Sequence, residues 1–221
     1  LSVITNISLD HTDKLGNTLA AIAGEKAGII KYQTPVIIGN TQEETTDVFV
    51  RKAAAENAPI VFAGQQWQYT GHAIVNNKLQ ATYFNPQRTQ NLKVETDQTG
   101  LYQLKNLPSV LEAAVQLNKL GYAVSEEALL QSLKNVKQLT GLRGRWETLQ
   151  RNPLVIADVG HNIDGITSIL SQPELKTAKK IHIVIGMVKD KDIQAVLNIL
   201  PEQAAYYITQ AHIPRALPAE K

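Results

Sequence analysis

The second half of this 221-residue chain sets the tightest limit on its fold. Short, continuous apolar runs at residues 154–159, 181–185 and 205–209 alternate with helical segments at 163–170 and 190–200. In the later helix Ile193, Val196, Leu197 and Leu200 recur at i, i+3, i+4 and i+7, which is one helical face. Strands that are apolar throughout, rather than alternating, suit a parallel sheet covered by helices on both faces. A Rossmann-like βαβαβ unit is therefore expected over residues 142–221.

The first half is α/β with an insertion. Residues 2–7, 35–38 and 59–63 read as strands, and 43–56 as a helix. Thr18 is placed to cap a further helix that runs to about Ala27, with Gly28 as its stop. Between Trp67 and Val94, alternating runs at 67–69, 73–75 and 79–84 are broken by Gly71-His72 and Asn76-Asn77, the pattern of a small antiparallel meander. Two helices follow at 104–120 and 125–137; Leu104, Leu107, Leu111, Ala114 and Leu117 fall near one face of the first. Gly141-Leu142-Arg143-Gly144-Arg145 is Gly-rich and basic and reads as the link between two domains, 1–141 and 142–221. The N-terminus reads as the inside of a strand, and the last residues carry no closing element. The sequence is therefore expected to be part of a longer protein.

Composition excludes several classes. At 43% hydrophobic and 19% charged the chain is too apolar for intrinsic disorder. Its apolar runs are far short of the ~18 residues a membrane span needs. The +2 net charge is spread along the chain and forms no basic stripe for nucleic acid. With no Cys, thiolate metal sites and a Cys nucleophile are ruled out, and a reducing cytoplasm is compatible. No secretory leader pattern opens the sequence.

Three segments carry candidate chemistry. Asp10-His11 follows the first strand, and Lys26 lies fifteen residues after His11. Leu19, Ile22, Ala23 and Lys26 share a helical stripe, so the lysine is expected to be buried. Burial lowers an ammonium's pKa, and a neutral amine can capture carbon dioxide as an anionic carbamate able to hold Mg²⁺ by oxygen. A snorkelling lysine and a loop histidine are the plainer readings. Asp158-Val159-Gly160-His161-Asn162 stands past the end of a strand, where open α/β sheets collect ligands; helix capping is its plainer role. Gly160 and Gly165 have the spacing of a phosphate-binding loop, but Ile166 occupies the position of its lysine, so that motif is rejected. Arg145, at the link, could fork onto a phosphate across a cleft, and Asn106 ahead of Pro108 reads as a helix cap or an amide for a base edge.

Together these blocks resemble a known signature. Thr5-Asn6-Ile7-Ser8-Leu9-Asp10-His11, Leu15-Gly16-Asn17-Thr18 and the run from Ile22 to Lys31 are similar to the folylpolyglutamate synthase/dihydrofolate synthase family of the Mur ligase superfamily. Tyr102-Gln103-x-x-Asn106, Gly144-Arg145-Trp146-Glu147, Asp158-x-x-His161-Asn162, Gly186-Met187-x-x-Asp190-Lys191-Asp192 and Pro214-Arg215-Ala216 continue the match in the same order.

The resemblance implies the remainder of a Mur-ligase-type ATP-binding domain followed by a Rossmann-like C-terminal domain. The activity it implies is ATP-dependent joining of L-glutamate to a folate or dihydropteroate carboxylate through an acyl phosphate. It implies His11 and Lys26 as Mg²⁺ ligands, with Lys26 carbamylated, and a monovalent cation as a possible second ion. Asn106, Arg145 and Asp158 become nucleotide contacts, and His161 stands near phosphate and the incoming amino acid. A monomeric cytoplasmic enzyme with small-molecule substrates is implied, with neither nucleic acid nor membrane as partner. Gly160, Ile163 and Ser8 depart from the family's common Ala, Pro and Gly. The family's phosphate-binding loop has no counterpart in these residues, so this chain by itself is expected to be inactive. A cell-wall Mur ligase and a non-catalytic nucleotide-binding α/β module are the alternatives.

Overall fold

The computed structural model describes residues 1–9, 16–189 and 193–220. Strands β1 (Ser2–Ile4), β2 (Val36–Ile38) and β3 (Ile60–Phe62) form a parallel sheet in that order, with Ser2 opposite Val36 and Val36 opposite Ile60. Helix α1 (Leu19–Ala27) begins at Thr18, whose hydroxyl accepts from the Ala21 amide at 3.1 Å. Helix α2 (Glu43–Ala55) joins β2 to β3. Their inward residues Ile22, Ala23, Ala27, Phe49 and Ala53 enclose a core with Ile4, Val36 and Ile38.

After a single turn, α3 (Ala63–Gln66), the meander comprises β4 (Gln68–Val75), β5 (Lys78–Asn85) and β6 (Gln90–Thr96), each antiparallel to the next. Its turns differ from expectation. Asn76 and Asn77 at φ 50 and 57° make the first hairpin, but Gly71 and His72 continue β4, paired with Thr82 and Ala81 just past a register shift between Tyr69 and Gly71. The second hairpin instead lies between Asn85 and Gln90. Helices α4 (Gln103–Lys119) and α5 (Glu126–Lys134) cover one face of the meander, with Leu107, Leu111 and Leu133 packed against Ala81, Tyr83 and Val94. A short α6 (Val136–Thr140) ends on Gly141 at φ 68°.

Beyond it, β7 (Glu147–Arg151) pairs antiparallel with β8 (Leu154–Ala157), a hairpin the apolar pattern did not signal because β7 is largely polar. Helix α7 (Ile163–Leu170) is capped by Asn162, which accepts from the Gly165 amide at 2.8 Å. After α8 (Pro173–Thr177), β9 (His182–Ile185) and β10 (Ala205–Ile208) pair in parallel, with α9 (Ile193–Leu197) between them in sequence. The expectation that helices cover both faces of these strands is not met: Val184 is 71%, Ile208 57% and Leu154 51% exposed. An apolar run records what a strand is suited to pack against, not that the packing layer is present. Among the described residues no helix is long and apolar enough to cross a membrane.

Candidate functional site

The carboxyl ends of β1 and β2 open onto a cleft of about 550 Å³ that the 145–168 region closes from the other side. Thr5, Asn6, Asn40, Gln42 and the first turn of α4 line one wall; Arg145, Asp158, Gly160 and the start of α7 line the other. This is where open α/β sheets bind ligands. Gln42 fixes the loop after β1, donating to the Ile7 carbonyl at 2.9 Å and accepting from its amide at 3.2 Å. Gly39 lets that loop approach, since a Cβ there would stand 2.6 Å from the Thr5 carbonyl oxygen and also strike Ser109 Oγ.

Asp158 is the hub of the opposite wall. Its Oδ1 accepts from the Gly160 amide at 2.8 Å; its Oδ2 accepts from the Trp146 amide and the Tyr102 hydroxyl, each at 2.7 Å. Capping, the plainer role weighed for it, belongs to Asn162 instead. Trp146 is buried yet sits at φ 48°, a conformation that costs an L-residue on the order of 1–2 kcal/mol. Asp158 holds that conformation through the Trp146 amide. Gly144, at φ 67°, precedes it, and a Cβ there would meet Val159 Cγ1 at 2.6 Å. The Val159 amide also donates to the Gly144 carbonyl at 2.9 Å. The segment read as a linker is thus a locked turn that displays Arg145, which is exposed and lines the cleft. Among the described residues Arg145 forms no hydrogen bond and no ion pair.

Burial pushes the Tyr102 phenol well above its ordinary range; the bond to Asp158 and its charge add to this, and the Arg145 charge opposes it. Glu147 is held below the usual carboxylate range, first by the Gly144 amide at 2.8 Å and then by Arg143 at 2.6 Å. A second contact links segments far apart in sequence: the buried Gln172 accepts from the Leu101 amide at 3.1 Å.

Asn106, Arg145 and Asp158 therefore line one cleft, although nearly forty residues separate the first two in sequence. Asn106 is not a cap; it lies within α4 and donates to Gln103 Oε1 at 2.8 Å. His161 is exposed and is not among the lining residues; its Nδ1 lies 3.0 Å from the Val159 carbonyl oxygen. The expected burial of Lys26 is overturned. Ile22, Ala23 and Ala27 are buried, but Lys26 is exposed in the last turn of α1, beside exposed Gly28 and Ile29. Spacing fixed its angle around the helix, not whether anything covers that end; desolvating an ammonium is costly and its flexible stem lets it reach water. His11 lies outside the described residues. Among those described, no three His, Asp or Glu side chains are grouped to hold a metal. Tyr102, Trp146 and Gln172 were not singled out by sequence reasoning; the first two stand inside the quoted motifs, and Gln172 carries no local signal.

Known proteins share the fold of this chain. Residues 1–114 match the Mur ligase middle domain, and 144–221 the Mur ligase, glutamate ligase domain. The chain belongs to the Mur ligase family, in its folylpolyglutamate synthase/dihydrofolate synthase group. It is 32% identical over 223 residues to the dihydrofolate synthase/folylpolyglutamate synthase of Bacillus subtilis, covering 98% of this chain and 50% of that protein. It is 28% identical over 227 residues to the folylpolyglutamate synthase of Lacticaseibacillus casei, covering 99% and 50%. Among solved structures, the complex of FPGS with AMPPCP and folate superposes with a TM-score of 0.81 at 26% identity, covering 94% of this chain and 50% of that one. Escherichia coli FolC with ADP gives 0.76 at 26% identity, covering 99% and 49%. The chain spans about half the length of the relatives it matches.

Proposed function

We propose that the whole protein joins L-glutamate to the carboxylate of dihydropteroate or a folate at the expense of ATP. The γ-phosphoryl group passes to a carboxylate oxygen, ADP departs, and the glutamate amine displaces phosphate from the acyl phosphate to leave an amide. The observation that carries this is the convergence of Asn106, Arg145 and Asp158 on one cleft in a chain that aligns end to end with glutamate ligases. Asn106 meets the adenine, Arg145 and Asp158 hold the nucleotide across the joint, and His161 stands at the rim toward phosphate and amino acid. Phosphoryl transfer depends chiefly on such positioning and charge neutralisation. The domain boundary falls at Gly141, the left-handed residue that ends α6.

Lys26 and His11 are assigned to the Mg²⁺ end of the site by resemblance alone. Lys26 is exposed, so desolvation does not favour its carbamate; an added carbon dioxide mass on Lys26 in bicarbonate, lost in Lys26→Arg, tests that modification. Without a phosphate-binding loop in these 221 residues, the isolated chain does not turn over ATP. The test of function supplies the whole protein with ATP, glutamate and, separately, dihydropteroate, tetrahydrofolate and a UDP-linked peptide precursor. Glutamylated pterin with stoichiometric ADP is expected; product from the peptide precursor alone would place the enzyme with cell-wall ligases instead.

A further inference from the structure

We infer that Tyr102 is a positioning residue that aims Arg145 at the nucleotide, acting across the joint through Asp158 and the Trp146 amide. The inference rests on the ligase reading for the identity of the ligand, but its geometry stands independently. Tyr102 belongs to the start of α4, in the segment matched by the middle-domain model; Asp158 and Arg145 belong to the glutamate-ligase segment. One hydroxyl thus connects the two at 2.7 Å.

The chain of contacts is short and each link has a reason. Gly100 has no Cβ, and one there would stand 2.8 Å from the Tyr102 ring and 3.0 Å from Trp146 Cβ, so this glycine lets the ring and the turn close in on the same point. The Tyr102 hydroxyl and the Trp146 amide share Asp158 Oδ2, while Gly160 takes Oδ1, which fixes the plane of the carboxylate. That carboxylate holds Trp146 at φ 48°, and Arg145 is the residue immediately before it. Removing the hydroxyl leaves the carboxylate freer to rotate and the left-handed turn less firmly held. The guanidinium is then presented over a wider range of directions. A hydrogen bond to a charged group is worth enough that its loss should weaken nucleotide binding about tenfold.

The experiment is a double-mutant cycle in the whole protein with Tyr102→Phe, Arg145→Ala and the double variant. ADP affinity is measured by calorimetry, and KM for ATP, KM for glutamate and kcat by turnover. Tyr102→Phe should raise the ADP Kd and the KM for ATP about tenfold, with kcat and the KM for glutamate moving much less. In the Arg145→Ala background the same change should add almost nothing, because the group it aims is gone. A merely structural tyrosine would lower Tm and give effects that multiply. Unchanged ADP affinity in Tyr102→Phe, or full additivity in the double variant, overturns the inference. A wild-type protein that binds ADP but makes no glutamyl product sinks the ligase reading and leaves the calorimetric cycle to decide Tyr102 alone. If the wild type binds no ADP, both fall.

Discussion

Tyr83 donates its hydroxyl to the Leu104 carbonyl at 2.8 Å, and Leu104 lies four residues before Pro108 within α4. Proline has no N–H to give that carbonyl, so the helix carries an unfilled acceptor at this point. The meander supplies the missing donor from β5. Burial raises the Tyr83 phenol well above its ordinary range, which keeps it protonated and donating. Tyr83→Phe is therefore expected to cost about 1–2 kcal/mol in urea unfolding. The cost should shrink in a Pro108→Ala background, where an amide can take over. Equal costs in both backgrounds would show that the carbonyl is satisfied otherwise.

A second buried contact ties the same helix to the meander's entry. Glu112 accepts from Trp67 Nε1 at 3.1 Å and from Gln116 Nε2 at 2.6 Å while only 4% exposed. Removing the acceptor strands two buried donors, which is more costly than losing the bonds themselves. Glu112→Ala should destabilise by about 2–4 kcal/mol. Glu112→Gln keeps one acceptor and the side-chain volume, so its loss should be smaller. Chemical unfolding of both variants measures the difference, and equal losses would point to packing rather than polar satisfaction.

The parts of the fold that sequence revealed are those with strong local determinants. Thr18 marked the start of α1, and α7 runs from Ile163 to Leu170 as its pattern indicated, because a cap and an amphipathic stripe act within one element. The misses concern partners distant in sequence. Gly71-His72 resembles a turn but lies inside β4, just past a bulge between Tyr69 and Gly71, and only pairing with β5 shows that the strand continues. Polar β7 has no apolar signature, and its pairing with β8 defines it. Lys26 was misjudged because periodicity carries no information about what lies above a helix end. In the candidate site, Asn106, Arg145 and Asp158 were legible through their motifs, whereas the roles of Tyr102 and Gln172 appear only once two distant segments meet.

Gly39 gives a steric prediction at the cleft. A methyl there would press on the Thr5 carbonyl oxygen at 2.6 Å, a backbone atom that cannot rotate away. Gly39→Ala is expected to destabilise by about 1–3 kcal/mol as an overpacked contact. Because Thr5 and Asn6 line the cleft, nucleotide affinity should fall with it. Thermal unfolding and ADP titration of the whole protein check the two effects. A stable variant with normal affinity would mean the strand ends separate freely.

The turn that displays Arg145 also carries a pH signature. Glu147 is held below its ordinary value of 4.5 by the Gly144 amide first and by Arg143 second. A carboxyl with a lower pKa in the folded state stabilises that state above its unfolded value. The contribution is lost as pH falls from there through the folded value. The wild-type Tm should therefore decline below about pH 4.5, where protonation takes the charge from Glu147 and weakens its hold on the Gly144 amide. Glu147→Gln removes the titration while keeping an acceptor oxygen, so its Tm should be lower than wild type near neutrality and decline less steeply in acid. Glu95, also lowered, through Gln80 first, will leave a residual slope in that variant. Parallel Tm profiles for the two proteins across the acid range would show that Glu147 does not hold this turn through its charge.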